Sequence, residues 1–222
     1  ARIRCHELDQ AAHLLGVTHL YKLGYHDSGM QGWTTNGDSE AFINADPESV
    51  ICRLVKIIRR HCPEVVVTYD ENGGYGHPDH IMAHRMSVAA IDAAGDAARY
   101  PDAGNPWTVS KLYYTAWARS EMLRAFKLMH LFGMKTPLRD PDFDPNSFGC
   151  PDRLITTRVD VRPVLRIKWR ALFTHRSQMG GGNFFWWFLR LTGRWLYPNE
   201  AFRCIYSATS ISPRETDIFA GL

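Results

Sequence analysis

The chain has 222 residues, and its 26 Lys plus Arg against 23 Asp plus Glu leave a formal charge of only +3. That is too small an excess for the clustered basic face of a nucleic-acid binder. With 45% apolar and 22% charged residues, the composition is that of a folded globular protein, and disorder as the main state is excluded. No apolar run approaches the roughly 18 residues a membrane span needs. The richest run, Phe184-Phe185-Trp186-Trp187-Phe188-Leu189, is short and is followed by Arg190. The cysteines Cys5, Cys52, Cys62, Cys150 and Cys204 contain no C-x-x-C pair and are odd in number, which points to reduced thiols and a cytoplasmic setting.

In chain order, Cys5 to Leu15 reads as an amphipathic helix with Leu8, Ala11, Ala12 and Leu15 on one face, stopped at Gly16. Thr18 to Leu23 reads as a short strand, and Gly24 to Asp46 as a long polar loop. Asp46-Pro47 has the form of an N-cap followed by the first helical residue, and Val50, Ile51, Leu54, Val55 and Ile58 continue at helical spacing to about His61. The β-branched run Val65-Val66-Val67 suits a buried, inner parallel strand. A glycine-rich loop from Asp70 to Pro78 leads into a helix from about Asp79 to Ala94. Lys111 to Trp117 reads as a strand, Glu121 to Phe132 as a helix, Arg139 to Pro151 as a loop and Ile155 to Val161 as a strand. A helix from Arg162 to Gln178, a break at Gly180-Gly181-Gly182 and a last strand from Ala201 to Ser207 complete the chain. This alternation predicts one α/β domain over residues 1–222 with a mainly parallel sheet flanked by helices. In such sheets ligands bind beyond the carboxyl ends of the strands.

The most informative stretch is Tyr69-Asp70-Glu71-Asn72-Gly73-Gly74-Tyr75-Gly76-His77-Pro78-Asp79-His80. Its glycines let the backbone take positive φ or approach a ligand closely. His80 and His84 fall on one face of the following helix, a spacing at which imidazoles can bind zinc. Asp79 is placed to hold one ring nitrogen of a histidine so that the other faces a metal or substrate. Asp70 and Glu71 are candidates for a carboxylate pair, and His175-Arg176-Ser177-Gln178 for a functional helix end. The aromatic cluster Phe184 to Phe188 with Trp195 reads as core packing or as a contact in a homo-oligomer, ahead of a wall or lid of a substrate pocket. Asp140, Asp142 and Asp144 lack the glycine and later Glu of a calcium loop.

The stretch Tyr69 to Met82 resembles the second motif of the zinc-dependent LmbE-like deacetylases. Leu23-Gly24-Tyr25-His26-Asp27-Ser28-Gly29-Met30 and Glu215-Thr216-Asp217-Ile218-Phe219-Ala220-Gly221-Leu222 resemble two further motifs of the mycothiol branch of that family. The resemblance implies a Rossmann-like sheet and a metal-dependent hydrolase cleaving the amide of a sugar-linked N-acyl substrate. The Asp-Glu-Asn-Gly-Gly wording and Tyr197 to Phe202 are similar to the enzymes that cleave mycothiol S-conjugates. The alternatives are deacetylation of an N-acetylglucosaminyl-inositol precursor, or a catalytically dead sugar binder.

By this resemblance His80 is a zinc ligand (iron being the other metal to consider), and His77 stabilises the tetrahedral intermediate, with Asp79 as its orienting carboxylate. Tyr75 polarises the carbonyl, Asp27 binds sugar hydroxyls and Arg4 contacts substrate. The expected partner is a small-molecule glycoside or thiol conjugate, with neither nucleic acid nor membrane. The family's first motif, A-H-P-D-D-E, which supplies two further metal ligands and the general base, does not occur in these residues. The expectation is therefore that an N-terminal segment carrying it precedes Ala1.

Overall fold

The computed structural model describes residues 2–140, 143–145, 149–178, 193, 198–209 and 214–222. Its main elements in order are α1 (Arg2–Leu15), α2 (Pro47–His61), β1 (Val65–Thr68), α3 (Gly73–Gly76), α4 (Pro78–Gly95), β2 (Lys111–Ala116), α5 (Arg119–Leu131), β3 (Thr157–Asp160), α6 (Leu165–Leu172) and β4 (Asn199–Ser207). The chain divides into two compact units, one of residues 1–24 and 160–200, the other of residues 25–159 and 201–222.

In the smaller unit α1 packs on α6. Ala11 and Ala12 are buried as the helical spacing predicts, whereas Leu8 and Leu15 are exposed. Glu7 joins the buried face because its carboxylate accepts hydrogen bonds from the backbone and the hydroxyl of Ser177. The Ser177 segment is thus a structural tie to α1. The helix expected from Arg162 to Gln178 is shorter, with 3-10 turns at Arg162–Val164 and Arg176–Gln178 on either side of α6. Pro163 has no N–H to give, and the Thr174 hydroxyl takes the Ala171 carbonyl at 2.7 Å, which competes with helix continuation. The strand expected at Thr18–Leu23 is absent. Val17, Leu20 and Tyr21 are all exposed, so neither face of this stretch gains burial, and no strand pairs with it among the described residues. The Phe184–Phe188 cluster, Trp195 and Gly180–Gly182 lie outside the described residues.

The larger unit holds a four-stranded sheet in the order β1-β2-β4-β3. β1 and β2 run parallel, with Val65 opposite Lys111 and Thr68 opposite Tyr114, whereas β4 is antiparallel to β2. The sheet is mixed where a mainly parallel one was expected, because β4 returns alongside β2 in the opposite sense. β1 is the edge strand of the described sheet rather than an inner one, and Val67 is 39% exposed. The valine run carries the β propensity but cannot say which strands lie beside it.

α2 begins as its sequence dictates, with the Asp46 carboxylate accepting from Ser49 N–H at 3.0 Å and Pro47 in the first turn. Val50, Val55 and Ile58 of α2 and Met82, Met86, Ala90 and Ile91 of α4 form the buried helical layer. Arg59 is buried among them, and no carboxylate pairs with it among the described residues. Its guanidinium donates to the carbonyls of Ala93, Ala94, Asp96, Arg99, Tyr100 and Gly104. It thereby caps the carboxyl end of α4, where the helix dipole favours a cation.

A second buried charge closes the unit. Lys111 is fully buried and donates to Glu215 at 3.0 Å, to the Tyr113 hydroxyl and to the Ala220 carbonyl. The other Glu215 oxygen accepts from Tyr113 at 2.7 Å and from Thr157 at 2.9 Å. The carboxyl-terminal motif that begins at Glu215 is therefore a buried latch holding β2, β3 and the end of the chain together.

Candidate active site

β1 delivers Tyr69 and Asp70 to its carboxyl end, where a tight turn folds back. The Asp70 carbonyl accepts from Gly73 N–H at 2.9 Å and its carboxylate from Gly74 N–H at 2.7 Å. Asp70 is thus a turn cap, and Glu71 forms an ion pair with Arg203, so the two carboxylates do not act as a pair. Gly73 has φ +61°, and a Cβ there would stand 2.7 Å from both the Cβ of His80 and the backbone nitrogen of Ile81. The loop can therefore lie against α4 only with glycine at this position.

His77 caps the amino end of α4, its Nδ1 accepting from the Asp79 N–H at 3.2 Å. With Nδ1 an acceptor, the neutral ring carries its proton on Nε2, and this atom faces Asp27 Oδ1 at 4.0 Å. His80 has the opposite arrangement. Its Nδ1 lies 3.1 Å from the Gly73 carbonyl, so it is the donor there and Nε2 is left with a free lone pair. Burial holds the His80 imidazole below its ordinary value, with the Gly73 carbonyl opposing and neighbouring His77 reinforcing the shift. The neutral form, the one that can ligate a metal, is thereby favoured. His84 also turns Nδ1 to a carbonyl, that of Tyr69 at 2.9 Å, but it is buried against Tyr114 and ties the loop to α4.

The Asp79 carboxylate bonds the backbone N–H of Ser28 at 3.1 Å, while its other oxygen is buried without a hydrogen-bond partner among the described residues. The ring of His77 is held by the Asp79 backbone rather than by this carboxylate. Asp27 accepts from Gly29 N–H at 2.9 Å, a turn cap that leaves the carboxylate half exposed beside His77. The donor atoms of Asp27, His77 and Asp79 lie within 4.8 Å of one another. The loop carrying Asp27 is closed by His26, which bonds Asp38 at 2.8 Å and pairs with Ala41.

Tyr75 stands edge-on to both His77 and His80, with ring centroids 6.0 and 5.2 Å away, and its other neighbour is Trp117, parallel at 6.2 Å. Tyr69 stacks on His80 at 4.2 Å. Asp27, Tyr75, His77, Asp79 and His80 therefore share one corner of the fold. Arg4 is exposed on α1, in the other unit.

The sequence reading missed the wall of this corner. A cavity of about 240 Å³ lies against His80 and Tyr75 and is lined also by Tyr69, Thr115, Trp117 and Cys150. Thr115 and Trp117 could have been anticipated, since they sit at the carboxyl end of β2 beside the end of β1. Ser28 could not, because its part is played by its backbone.

Residues 1–91 match the family described as PIG-L, GlcNAc-PI de-N-acetylase. A deacetylase of 1D-myo-inositol 2-acetamido-2-deoxy-alpha-D-glucopyranoside from Geodermatophilus obscurus is 38% identical over 99% of this chain and 76% of its own length. The chain belongs to the PIG-L family. The protein of the same description from Thermobispora bispora is 43% identical over 80% of this chain and 59% of its own length. Among solved structures, N,N'-diacetylchitobiose deacetylase from Pyrococcus horikoshii aligns with a TM-score of 0.58 at 20% identity, covering 92% of this chain and 63% of that one. A conserved protein from Thermus thermophilus aligns with a TM-score of 0.53. These likenesses establish the α/β fold, and the PIG-L relatives are hydrolytic deacetylases by name.

Proposed function

We propose that the protein removes the N-acyl group from a glucosaminyl-inositol amide, with zinc or iron as its metal. The observation that carries this reading is the opposite tautomers of two adjacent imidazoles. His80 offers a bare Nε2 to a metal, and His77 offers an N–H to a forming oxyanion. The corner suits a cation, because it holds neutral His80 and a buried, unpartnered oxygen of Asp79. When bound, zinc supplies Lewis-acid activation of a water and of the amide carbonyl.

The chain's own residues do the rest. Asp27 accepts hydroxyl hydrogen bonds from the sugar and orients it. His77 donates Nε2–H to the oxygen that gains charge as water adds to the amide carbon. The ring keeps that proton, and the proton given up by the attacking water passes to the nitrogen as the C–N bond breaks, so that a neutral amine and a carboxylic acid leave. Tyr75, on its glycine-rich turn, stands beside both histidines and completes the oxyanion side. Relatives 38% and 36% identical over the whole chain carry the deacetylase name, so the deacetylase takes precedence over cleavage of mycothiol S-conjugates. No helix among the described residues is long and apolar enough to cross a membrane, in keeping with a soluble substrate and a cytoplasmic enzyme. The test is release of acetate from N-acetylglucosaminyl-inositol by the full-length protein loaded with zinc or iron. Hydrolysis that disappears on chelation and returns with metal supports the reading, and a metal-independent rate contradicts it.

A further inference from the structure

We infer that the cavity walled by Trp117, Tyr75 and Cys150 receives the acyl arm of the amide, and that it accepts chains longer than acetyl. The inference rests on the deacetylase reading for the position of the scissile bond. A secondary amide has two arms. The half-exposed carboxylate of Asp27 stands beside His77 and suits the hydroxyl-bearing arm. The cavity adjoins His80 and Tyr75 and is lined by aromatic faces, so it is left for the apolar arm.

Two of its polar groups are already engaged. The Asp70 carboxylate is bonded to Gly74 N–H, and the Cys150 thiol donates to the Pro151 carbonyl. Burial pushes the Cys150 thiol above its ordinary value, so it presents no charge to the cavity. Trp117 is 50% and Tyr75 46% exposed, large apolar surfaces that a ligand would cover. The volume of about 240 Å³ is that of several water molecules, at roughly 30 Å³ each in the liquid. The methyl of an acetyl group leaves most of it unfilled. Each further methylene buried there raises kcat/KM by about fourfold until the far wall is reached.

The experiment uses the full-length, metal-loaded protein with glucosaminyl-inositol amides bearing acetyl, propionyl, butyryl and hexanoyl groups. Both kcat/KM and, for the metal-free protein, calorimetric affinity are read. The expected result is a rise from acetyl to butyryl in both readouts. In Thr115→Phe, an exposed strand position at the cavity mouth, the butyryl-to-acetyl ratio falls at least fivefold. In Trp117→Ala the methylene increment shrinks as the aromatic face is lost. If acetyl is hydrolysed but butyryl is refused, or if Thr115→Phe leaves the ratio unchanged, the cavity is not the acyl site. If no amide is hydrolysed while affinity still climbs with chain length, the cavity assignment stands and the deacetylase reading fails.

Discussion

Ser28 and Asp79 are 51 residues apart in the chain, yet the backbone N–H of the first donates to the carboxylate of the second at 3.1 Å. Ser28 is fully buried, and its own oxygens are taken. Its carbonyl accepts from Thr35 and Asn36, and its hydroxyl from the N–H of Ile43. The loop that carries Asp27 is thereby fastened to the start of α4, and the Asp27 carboxylate and the two histidines are set in one frame.

Asn36 is the handle on that frame, since its side chain holds the carbonyls of Ser28 and Met30 and accepts from Gly32. Asn36→Ala removes these bonds and leaves acceptors unpaired, at a cost of about 1–3 kcal/mol. The expected outcome is a rise in KM for the sugar substrate of about tenfold or more, with metal content unchanged. Steady-state kinetics beside elemental analysis check it. Loss of metal in parallel would mean that the loop holds the metal side instead.

Gly73→Ala is expected to act on His80 rather than on the fold as a whole. A Cβ at φ +61° is strained, and it would collide with the His80 side chain and the Ile81 backbone at 2.7 Å. The Gly73 carbonyl that fixes the His80 tautomer must move as well. Metal affinity should drop by at least the 10- to 100-fold typical of lost outer-shell support, while the thermal midpoint shifts by only a few degrees. A metal titration and a melting curve separate the two.

The Glu215 latch makes a stability prediction with a defined pH sense. Burial, the largest influence, would raise its carboxyl value, but hydrogen bonds from Tyr113, Lys111 and Thr157 outweigh it and hold the value below the ordinary 4.5. A depressed value in the folded state means stability that is present above pH 4.5 and is lost as pH falls through the lower folded value. Glu215→Gln leaves Lys111 buried without its counter-ion and is expected to cost about 3–5 kcal/mol. Denaturant titration at neutral pH and below pH 4 should show that difference shrinking with acid. A constant difference at both pH values would contradict the charge-pair account.

Local signals made much of this architecture readable from the residues. Asp46-Pro47 marks a helix start because an N-cap and a proline act within one turn. The strands at Val65 and Lys111 follow from their β-branched and aromatic runs. The loop histidines were legible because a glycine turn between a strand and a helix leaves few other uses for them. What stayed hidden depends on partners distant in sequence. Thr18–Leu23 has strand propensity but gains no burial. β1 reads as inner but lies at the edge of the described sheet. Arg59 and Lys111 look like surface charges until the carbonyls and the carboxylate that enclose them are known. The cavity is invisible for the same reason, since Tyr69, Trp117 and Cys150 meet only once β1 and β2 are paired.

The most direct test of the account is the metal content of two variants of the full-length protein, measured by elemental analysis together with turnover of N-acetylglucosaminyl-inositol. His80 turns Nδ1 to a carbonyl and keeps Nε2 bare, whereas His77 spends Nδ1 on the Asp79 N–H and carries its proton on Nε2. The account predicts that His80→Ala loses the metal. It predicts that His77→Ala retains the metal at the wild-type level while kcat falls by about 10²–10³, the range for a lost oxyanion donor. Equal metal loss in both variants, or retention in His80→Ala, would contradict the division of roles between the two histidines.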